Sequence, residues 1–274
     1  MANYMVTGAG GGMGSAICRL LARKGCHVWG IDRSVPAETG WRFIQADITS
    51  ADDLQAILPQ IGAEAGSLDG IIHTAGIYDL NSLVEMPQAD FLRDFDVNLF
   101  GMYRVNRLFF PLLAPNARIV IVSSELAPLD PLPFTGIYAI TKAAVEKYAA
   151  ALRMELQMLG HRVIVIRPGA VRTNMLPASM EKLERFCAET QLYPHNAARF
   201  RQIVETVEAK SIPAERIAGV VYRSLTAARP RLVYNVNRSP LLLLFDRLPA
   251  RLRLAVIRAV LQPGRHAPAG NPRT

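Results

Sequence analysis

Hydrophobic positions in this chain come in short aliphatic runs that do not alternate with polar ones. "NYMVTGAG", "HVWGID", "LDGIIHTAG", "ARIVIVSS" and "RVIVIRPG" each set Val, Ile, Leu or Met side by side, the pattern of parallel strands covered on both faces. Between these runs the period lengthens. "GSAICRLLARKG", closed by Gly25, then "SADDLQAILPQIGAEAG", "ADFLRDFDVNLFGMYRVNRLFFPLL" and "YAITKAAVEKYAAALRMELQMLG" read as helices. Strands alternating with helices predict an α/β fold, an open, doubly wound, Rossmann-like parallel sheet with helices on both faces.

A chain of 274 residues, half of them hydrophobic, can bury a sizeable core, and α/β folds of this length commonly form one domain. The reading is a single domain over 1–274, without internal repeats or a low-complexity linker. The longest uninterrupted apolar stretch, Leu241 to Phe245, is far shorter than the roughly 18 residues that span a bilayer. The first strand begins almost at once, which leaves no room for a signal or transit peptide and sets the expectation of a cytoplasmic protein. Cys18, Cys26 and Cys187 are widely spaced and far from His clusters, so they read as packing thiols, and no disulfide or metal site is expected.

Charge is distributed unevenly. The formal net charge is +8, but from Arg238 onward there are seven Arg against one Asp, so about +6 of it belongs to the last segment. The nearly neutral remainder gives no support for a nucleic-acid groove, which would want basic residues along one face. The segment at about 239–262, "SPLLLLFDRLPARLRLAVIRAVLQPG", interleaves apolar residues with Arg, and Pro249 divides it into two short amphipathic pieces. Such a helix can lie on an anionic membrane surface or pack on a partner subunit. Covering an oligomer interface or the substrate pocket is the preferred reading.

The candidate chemistry starts with "MVTGAGGGMGSAICRLLARKG", where five glycines fall between Gly8 and Gly14. A helix N-terminus offers unpaired N–H groups and a positive dipole end, and a glycine turn in front of it lets a pyrophosphate approach. Asp32, at the end of the next strand, stands at the separation expected for a carboxylate gripping ribose hydroxyls. It would repel the 2′-phosphate of NADP, so NAD is the favoured cofactor and NADP the lesser one. Arg33 reads as a solvated loop charge, with a phosphate contact as the alternative.

Thr7-Gly8-x-x-x-Gly12-x-Gly14 resembles the TGxxxGxG turn of the short-chain dehydrogenase/reductase superfamily, in its compact single-domain branch. Further motifs of that family follow in order: Ala46-Asp47, Thr74-Ala75-Gly76, Asn98, Ser123-Ser124, Tyr138-x-x-x-Lys142 and "RPGAVRT" from Arg167 to Thr173. The resemblance covers roughly residues 3 to 236. It implies catalytic roles for Asn98, Ser124, Tyr138 and Lys142. It implies cofactor contacts from Gly8, Gly12, Met13, Gly14, Asp32, Arg33, Asp47, Ile48, Ala75, Gly76, Tyr138, Lys142, Pro168, Gly169, Val171 and Thr173. Within that set, Asp47 and Ile48 would meet the adenine, Ala75 and Gly76 the adenosine ribose, and Thr173 the nicotinamide carboxamide. It also implies a homo-dimer or homo-tetramer.

The chemistry has physical grounds. Tyr138 and Lys142, four apart on a helix, share a face, and a cation there is expected to draw the phenol's proton affinity down from about 10. Tyr138 would then act as general base toward an alcohol and general acid toward a ketone. Ser124, at the end of a buried strand, can hydrogen-bond the substrate oxygen as charge develops. The resemblance selects it over Ser123, although the interval to Tyr138 is one residue longer than the commonest one. Asn98 resembles the helical Asn that holds a water leading from Lys142 to solvent. His73 and Thr74 replace two asparagines common in the family, and His73 reads as a structural histidine.

Residues 174–212 fall where the family places its variable lid. Met175, Leu176, Met180, Leu183, Phe186 and Tyr193 there either line an apolar pocket or pack the lid on the body. The whole reads as an NAD-dependent oxidoreductase interconverting a secondary alcohol and its ketone, on an extended apolar substrate such as a hydroxysteroid or lipid-like molecule. The alternatives are an NADP-dependent ketone reductase and a catalytically silent dinucleotide-sensing regulator.

Overall fold

A computed structural model describes residues 1–36, 40–173, 175–208 and 211–262, with backbone alone at 176, 177, 207 and 208. The first half of the chain runs β1 (Asn3–Thr7), α1 (Gly12–Arg23), β2 (His27–Asp32), β3 (Arg42–Gln45), α2 (Ala51–Ala65), β4 (Leu68–His73), α3 (Gln88–Phe95), α4 (Gly101–Phe109) and β5 (Leu113–Val122). The second half runs α5 (Gly136–Leu156), β6 (Arg162–Pro168), β7 (Val171–Arg172), α6 (Met175–Glu189), α7 (Pro194–Glu208), β8 (Ile212–Pro213), α8 (Ala214–Thr226), β9 (Val233–Val236), α9 (Pro240–Asp246) and α10 (Ala250–Leu261). Seven strands form one sheet in the order β3-β2-β1-β4-β5-β6-β9, every neighbouring pair parallel. Strand order reverses between β1 and β4, and in such sheets the crevice at the reversal is the usual ligand site.

Both faces of the sheet are buried, as the unalternated aliphatic runs predict. Tyr4 and Val6 of β1 pack with Ile17 and Leu21 of α1 and Ile217 and Val221 of α8. Met5, between them in sequence, points the other way, into Ile57 and Ile61 of α2 and Val105 and Phe109 of α4. Ile119 and Ile121 of β5 meet Val145 and Ala149 of α5 on that second face. α2 starts where a Ser fits: the Ser50 hydroxyl accepts the Asp53 N–H at 3.1 Å and donates to its carboxylate at 2.8 Å.

Three elements depart from the sequence pattern. The helix read over 89–113 is broken into α3 and α4 by a wider π turn over Asp96–Phe100, and its last residue, Leu113, already belongs to β5. β3, "RFIQ", is an edge strand with no buried position, and β9, "VYNV", has one, so neither shows an apolar run. The lid helices α6 and α7 enclose a small core of their own, with Leu183, Phe186, Ala197 and Phe200 buried around Phe134. Of the two readings of the lid residues, packing holds for Leu183 and Phe186, which are core, and for Met180 and Tyr193, which pack against them. The side chain of Leu176, like residue 174, lies outside the described residues.

The β1-to-α1 turn is the tightest point in the fold. A Cβ built on Gly14 would overlap the carbonyl oxygen of Gly8 and stand 2.8 Å from Thr74 Oγ1. Both obstacles are held in place, since Gly8 O accepts the Gly11 N–H and Thr74 Oγ1 donates to Thr7 O at 2.7 Å. Gly14→Ala should therefore destabilise the protein by about 1–3 kcal/mol, read as a lowered midpoint in urea unfolding. An unchanged midpoint would mean that the turn opens freely.

Candidate active site

A cleft of about 430 Å³ opens at the β1/β4 reversal. Gly8, Gly12, Met13 and Gly14 line it from the first turn, Asp32 and Arg33 from the end of β2, Asp47 and Ile48 from the segment after β3, Ala75 and Gly76 from beyond β4, and Thr173 from the start of the lid. These are eleven of the positions expected to hold a dinucleotide. The start of α1 carries no capping side chain and no acid in its first turn, so its orphan N–H groups and dipole end are available to a phosphate. The Asp32 carboxylate is fixed at the cleft by the N–H groups of Gly10, at 3.0 Å, and Ser34, at 2.9 Å. Asp47 is held similarly, accepting the Thr49 N–H and hydroxyl at 2.8 Å. A glycine turn at an uncapped helix start, with a carboxylate held in the same cleft, fits a dinucleotide.

Pro168, Gly169 and Val171 are not in the cleft wall. Pro168 O accepts the Glu125 N–H at 2.8 Å, and Gly169 is closely packed by Asn237 O and Glu125 Oε1. Val171 pairs with Ile212 between β7 and β8, and its side chain is buried in the core against α8. The two-residue ladder turns that side chain inward, which its position after "RPG" does not reveal.

Ser124 and Tyr138 are brought together. The Ser124 hydroxyl neighbours the Tyr138 phenol and accepts the Leu126 N–H at 3.2 Å. Ser123 is committed elsewhere, donating at 3.0 Å to Glu146, which is paired with Arg167. Geometry thus separates the two serines that the sequence sets side by side. Lys142 Nζ lies 5.7 Å from the Tyr138 ring centroid and donates to Val122 O at 3.3 Å. Asn98 sits in the π turn, a helical irregularity that recurs at functional sites. Its amide accepts the Ile77 N–H at 2.8 Å and donates to Ile77 O and to Thr141 Oγ1. Asn98 Oδ1 and Lys142 Nζ converge over Gly76, where a Cβ would stand 3.1 and 3.4 Å from them. One lone pair of the Asn98 carbonyl is left.

Burial reverses the expected proton affinity of the pair. Tyr138 is pushed up to about 12, the neighbouring Ser124 hydroxyl opposing only part of the burial effect, and Lys142 is pushed down to about 8. The ammonium stands beside the ring and is tied to a backbone carbonyl, so it does not offset the loss of water around the phenol.

Several features of the site carry no sequence signal. The Tyr78 ring packs on Tyr138, centroids 4.4 Å apart, and it is Tyr78 that faces the cleft. Asp79, also in the cleft wall, is paired with Lys182 of α6 and with Arg93 of α3. The fully buried Asp94 stands near this group, its carboxyl pushed up by burial and by the neighbouring Asp79. Glu125, beside Ser124, is buried and accepts the Ser239 N–H at 2.7 Å, joining the site to the start of α9. His73 is structural: it is buried, held by Asn106 at 2.9 Å and pushed down to about 4 by burial, hence neutral.

Residues 2–184 match the family described as short chain dehydrogenase. The chain is similar to a protein named probable short-chain type dehydrogenase/reductase VdlC from Helicobacter pylori, 26% identical over 94% of this chain and 97% of that one. It is also similar to a 3-ketodihydrosphingosine reductase of Bacteroides thetaiotaomicron, 23% identical over 82% of this chain and 84% of the relative. Among solved structures, the aldohexose dehydrogenase of Thermoplasma acidophilum superposes with a TM-score of 0.72 at 22% identity, over 87% of this chain and 95% of that one, which shows the fold.

The buried lysine opposes stability. The folded state binds fewer protons than the unfolded one between about 8 and 10.5, so stability rises with pH across that window. At pH 7 the buried ammonium is a cost, and Lys142→Met should raise stability by roughly 1–3 kcal/mol. The gain should shrink as the pH is raised through that window. Equilibrium unfolding of both proteins at pH 7 and pH 10 checks this, and a less stable variant at pH 7 would contradict it.

Proposed function

Since the chain belongs to the short-chain dehydrogenase/reductase family of oxidoreductases, we propose that it interconverts a secondary alcohol and its ketone using NAD. The observation that carries this reading is the convergence of Ser124 and a buried Lys142 on Tyr138, beside a cleft that fits a dinucleotide. The cleft residues would hold a dinucleotide whose nicotinamide would supply or accept the hydride at the substrate carbon. The chain's own residues manage the proton and the developing charge on oxygen. The Ser124 hydroxyl donates to the substrate oxygen. Tyr138, with a proton affinity near 12, is a protonated phenol at neutral pH and gives its proton to a ketone oxygen. The Lys142 ammonium, 5.7 Å from the ring centroid, then faces the phenolate, an attraction smaller than the cost of its burial. In the opposite direction the same phenolate takes the proton of the alcohol. Asn98 holds Ile77, next to Gly76, through both of its backbone groups, and its remaining lone pair can seat a water leading to Lys142.

NAD over NADP is supported by Asp32, whose carboxylate is fixed at the cleft where a 2′-phosphate would have to lie. Thr173, Ala75, Gly76, Asp47 and Ile48 would complete the cofactor contacts from the cleft wall. Pro168, Gly169 and Val171 would act from behind it by shaping the turn after β6. An extended apolar substrate is supported by the apolar loop after Ser124, Leu126, Leu129 and Leu132, and by the lipid-like ketone in the name of the Bacteroides relative.

Absorbance of reduced nicotinamide, followed with NAD and NADP against hydroxysteroids, long-chain secondary alcohols, their ketones and sugars, tests the reading. Tyr138→Phe should lower kcat by about 10²–10⁴-fold while NAD binding is kept. Binding of NAD without turnover of any substrate, unaltered in Tyr138→Phe, would instead identify a dinucleotide-sensing regulator. Asp32→Ser should shift the ratio of kcat/KM for NAD over NADP toward NADP by about two orders of magnitude, as expected for removing a like-charge clash. An unchanged ratio would remove Asp32 from cofactor choice.

A further inference from the structure

We propose that the outward face of α9 and α10 docks on an anionic lipid bilayer. The two helices are firmly seated. Arg253 of α10 pairs with Asp130, in the loop after Ser124, and with Asp246 at the end of α9. Asp246 accepts the Asp130 N–H at 3.1 Å, Glu125 the Ser239 N–H at 2.7 Å, and the last carbonyl of α10, Leu261 O, the amide of Asn196 on α7 at 2.9 Å. One stripe of α10, Arg253, Ile257 and Leu261, faces the body. The other positions of α10 from Arg251 to Val260 are exposed.

The stripe beside it, about 100° round the helix, is apolar. Leu252, Val256 and Val260 recur one turn apart and are 48%, 36% and 43% exposed, with Ala255 and Ala259 exposed between them. Leu241 and Leu244 of α9 are 73% and 62% exposed. Exposed Arg251 and Arg258, two turns apart, run along one flank of the α10 stripe, and Arg247 is exposed between the helices. The only acid from Pro240 to Leu261 is Asp246, already bound to Arg253. An apolar stripe edged by arginines suits the boundary between acyl chains and anionic headgroups, with the long arginine stems reaching back to the phosphates.

Charge decides between a bilayer and a second copy. Two such faces would set three arginines against three more with no free acid to separate them, and about +6 of the chain's +8 lies from Arg238 onward. An anionic surface attracts the same charge. The position also has a use. Beneath the helices, an apolar cavity of about 270 Å³, lined by Leu126, Leu129, Leu242, Phe245 and Ile257, lies next to the loop that leaves Ser124. A bilayer against the outer face would bring lipid-soluble molecules to the rim of that cavity.

Co-sedimentation with extruded vesicles tests the proposal whatever the substrate is. The protein should sediment with phosphatidylcholine–phosphatidylglycerol vesicles, not with phosphatidylcholine alone, and should be released by molar salt. Arg247→Gln/Arg251→Gln/Arg258→Gln should weaken the partition about a hundredfold, at roughly fivefold per arginine. Leu252→Asp/Val256→Asp should abolish it. Both variants change exposed side chains and should keep the parent's circular dichroism and melting temperature, which separates lost docking from lost folding. No sedimentation with anionic vesicles, or sedimentation that neither variant alters, would overturn the proposal. So would a concentration-dependent dimer that Leu252→Asp/Val256→Asp dissociates, which would assign the face to a second copy.

Discussion

A parallel sheet covered on both faces has one place to put polar groups, beyond the ends of its strands. Here α1 and α8 close one face, and α2, α4 and α5 the other. Asp32, Gly76, Ser124 and Pro168 accordingly all follow or end strands, along one edge of the sheet. The unpaired N–H groups at the start of α1 open at that edge too, because Gly14 lets the helix begin against the carbonyl of Gly8. The cleft is thus a consequence of how the sheet is buried.

The groups brought to that edge are costly to hold. Tyr138, Lys142 and Asn98 are supplied by helices that cross the second face, and the polar ends of all three are drawn out of water. Asn98 is fully occupied but for one lone pair, and the wider turn over Asp96–Phe100 is what carries its amide to both backbone groups of Ile77. Among the described residues Lys142 has one hydrogen-bond partner, a carbonyl, and burial lowers its proton affinity while raising that of Tyr138. A pair packed for stability alone would not look like this, and sites that trade stability for chemistry commonly do.

The loop that leaves Ser124 is clamped from two sides. Phe134 takes a positive φ of 62°, unusual for an aromatic residue, and its ring enters the lid core against Phe186, Tyr193 and Phe200. Upstream, Glu125 and Asp130 are tied to the C-terminal helices. Lid, loop and C-terminal helices therefore form one connected wall beside Ser124 and Tyr138. The lid's Lys182 joins it to the cleft through Asp79.

The order of strands and helices, the glycine turn, Asp32, and the Tyr138/Lys142 spacing were legible in the sequence, because each rests on local periodicity or on neighbours a few residues apart. β3 and β9 were not, since a short edge strand that buries little leaves no apolar run. Nor did the sequence separate lid core from pocket lining: Leu183 and Phe186 are inward because α6 packs on α7 and Phe134, contacts between distant segments. The resemblance already favoured Ser124 over Ser123, and the tertiary structure adds a physical reason, Glu146 occupying Ser123 while Ser124 neighbours Tyr138. The proton affinities of Tyr138 and Lys142 came from the tertiary structure. Spacing foretold that the two would be neighbours, but the direction of their shifts depends on how much water is removed around each, and that is decided only when the sheet, α5 and the loop after β4 close over them.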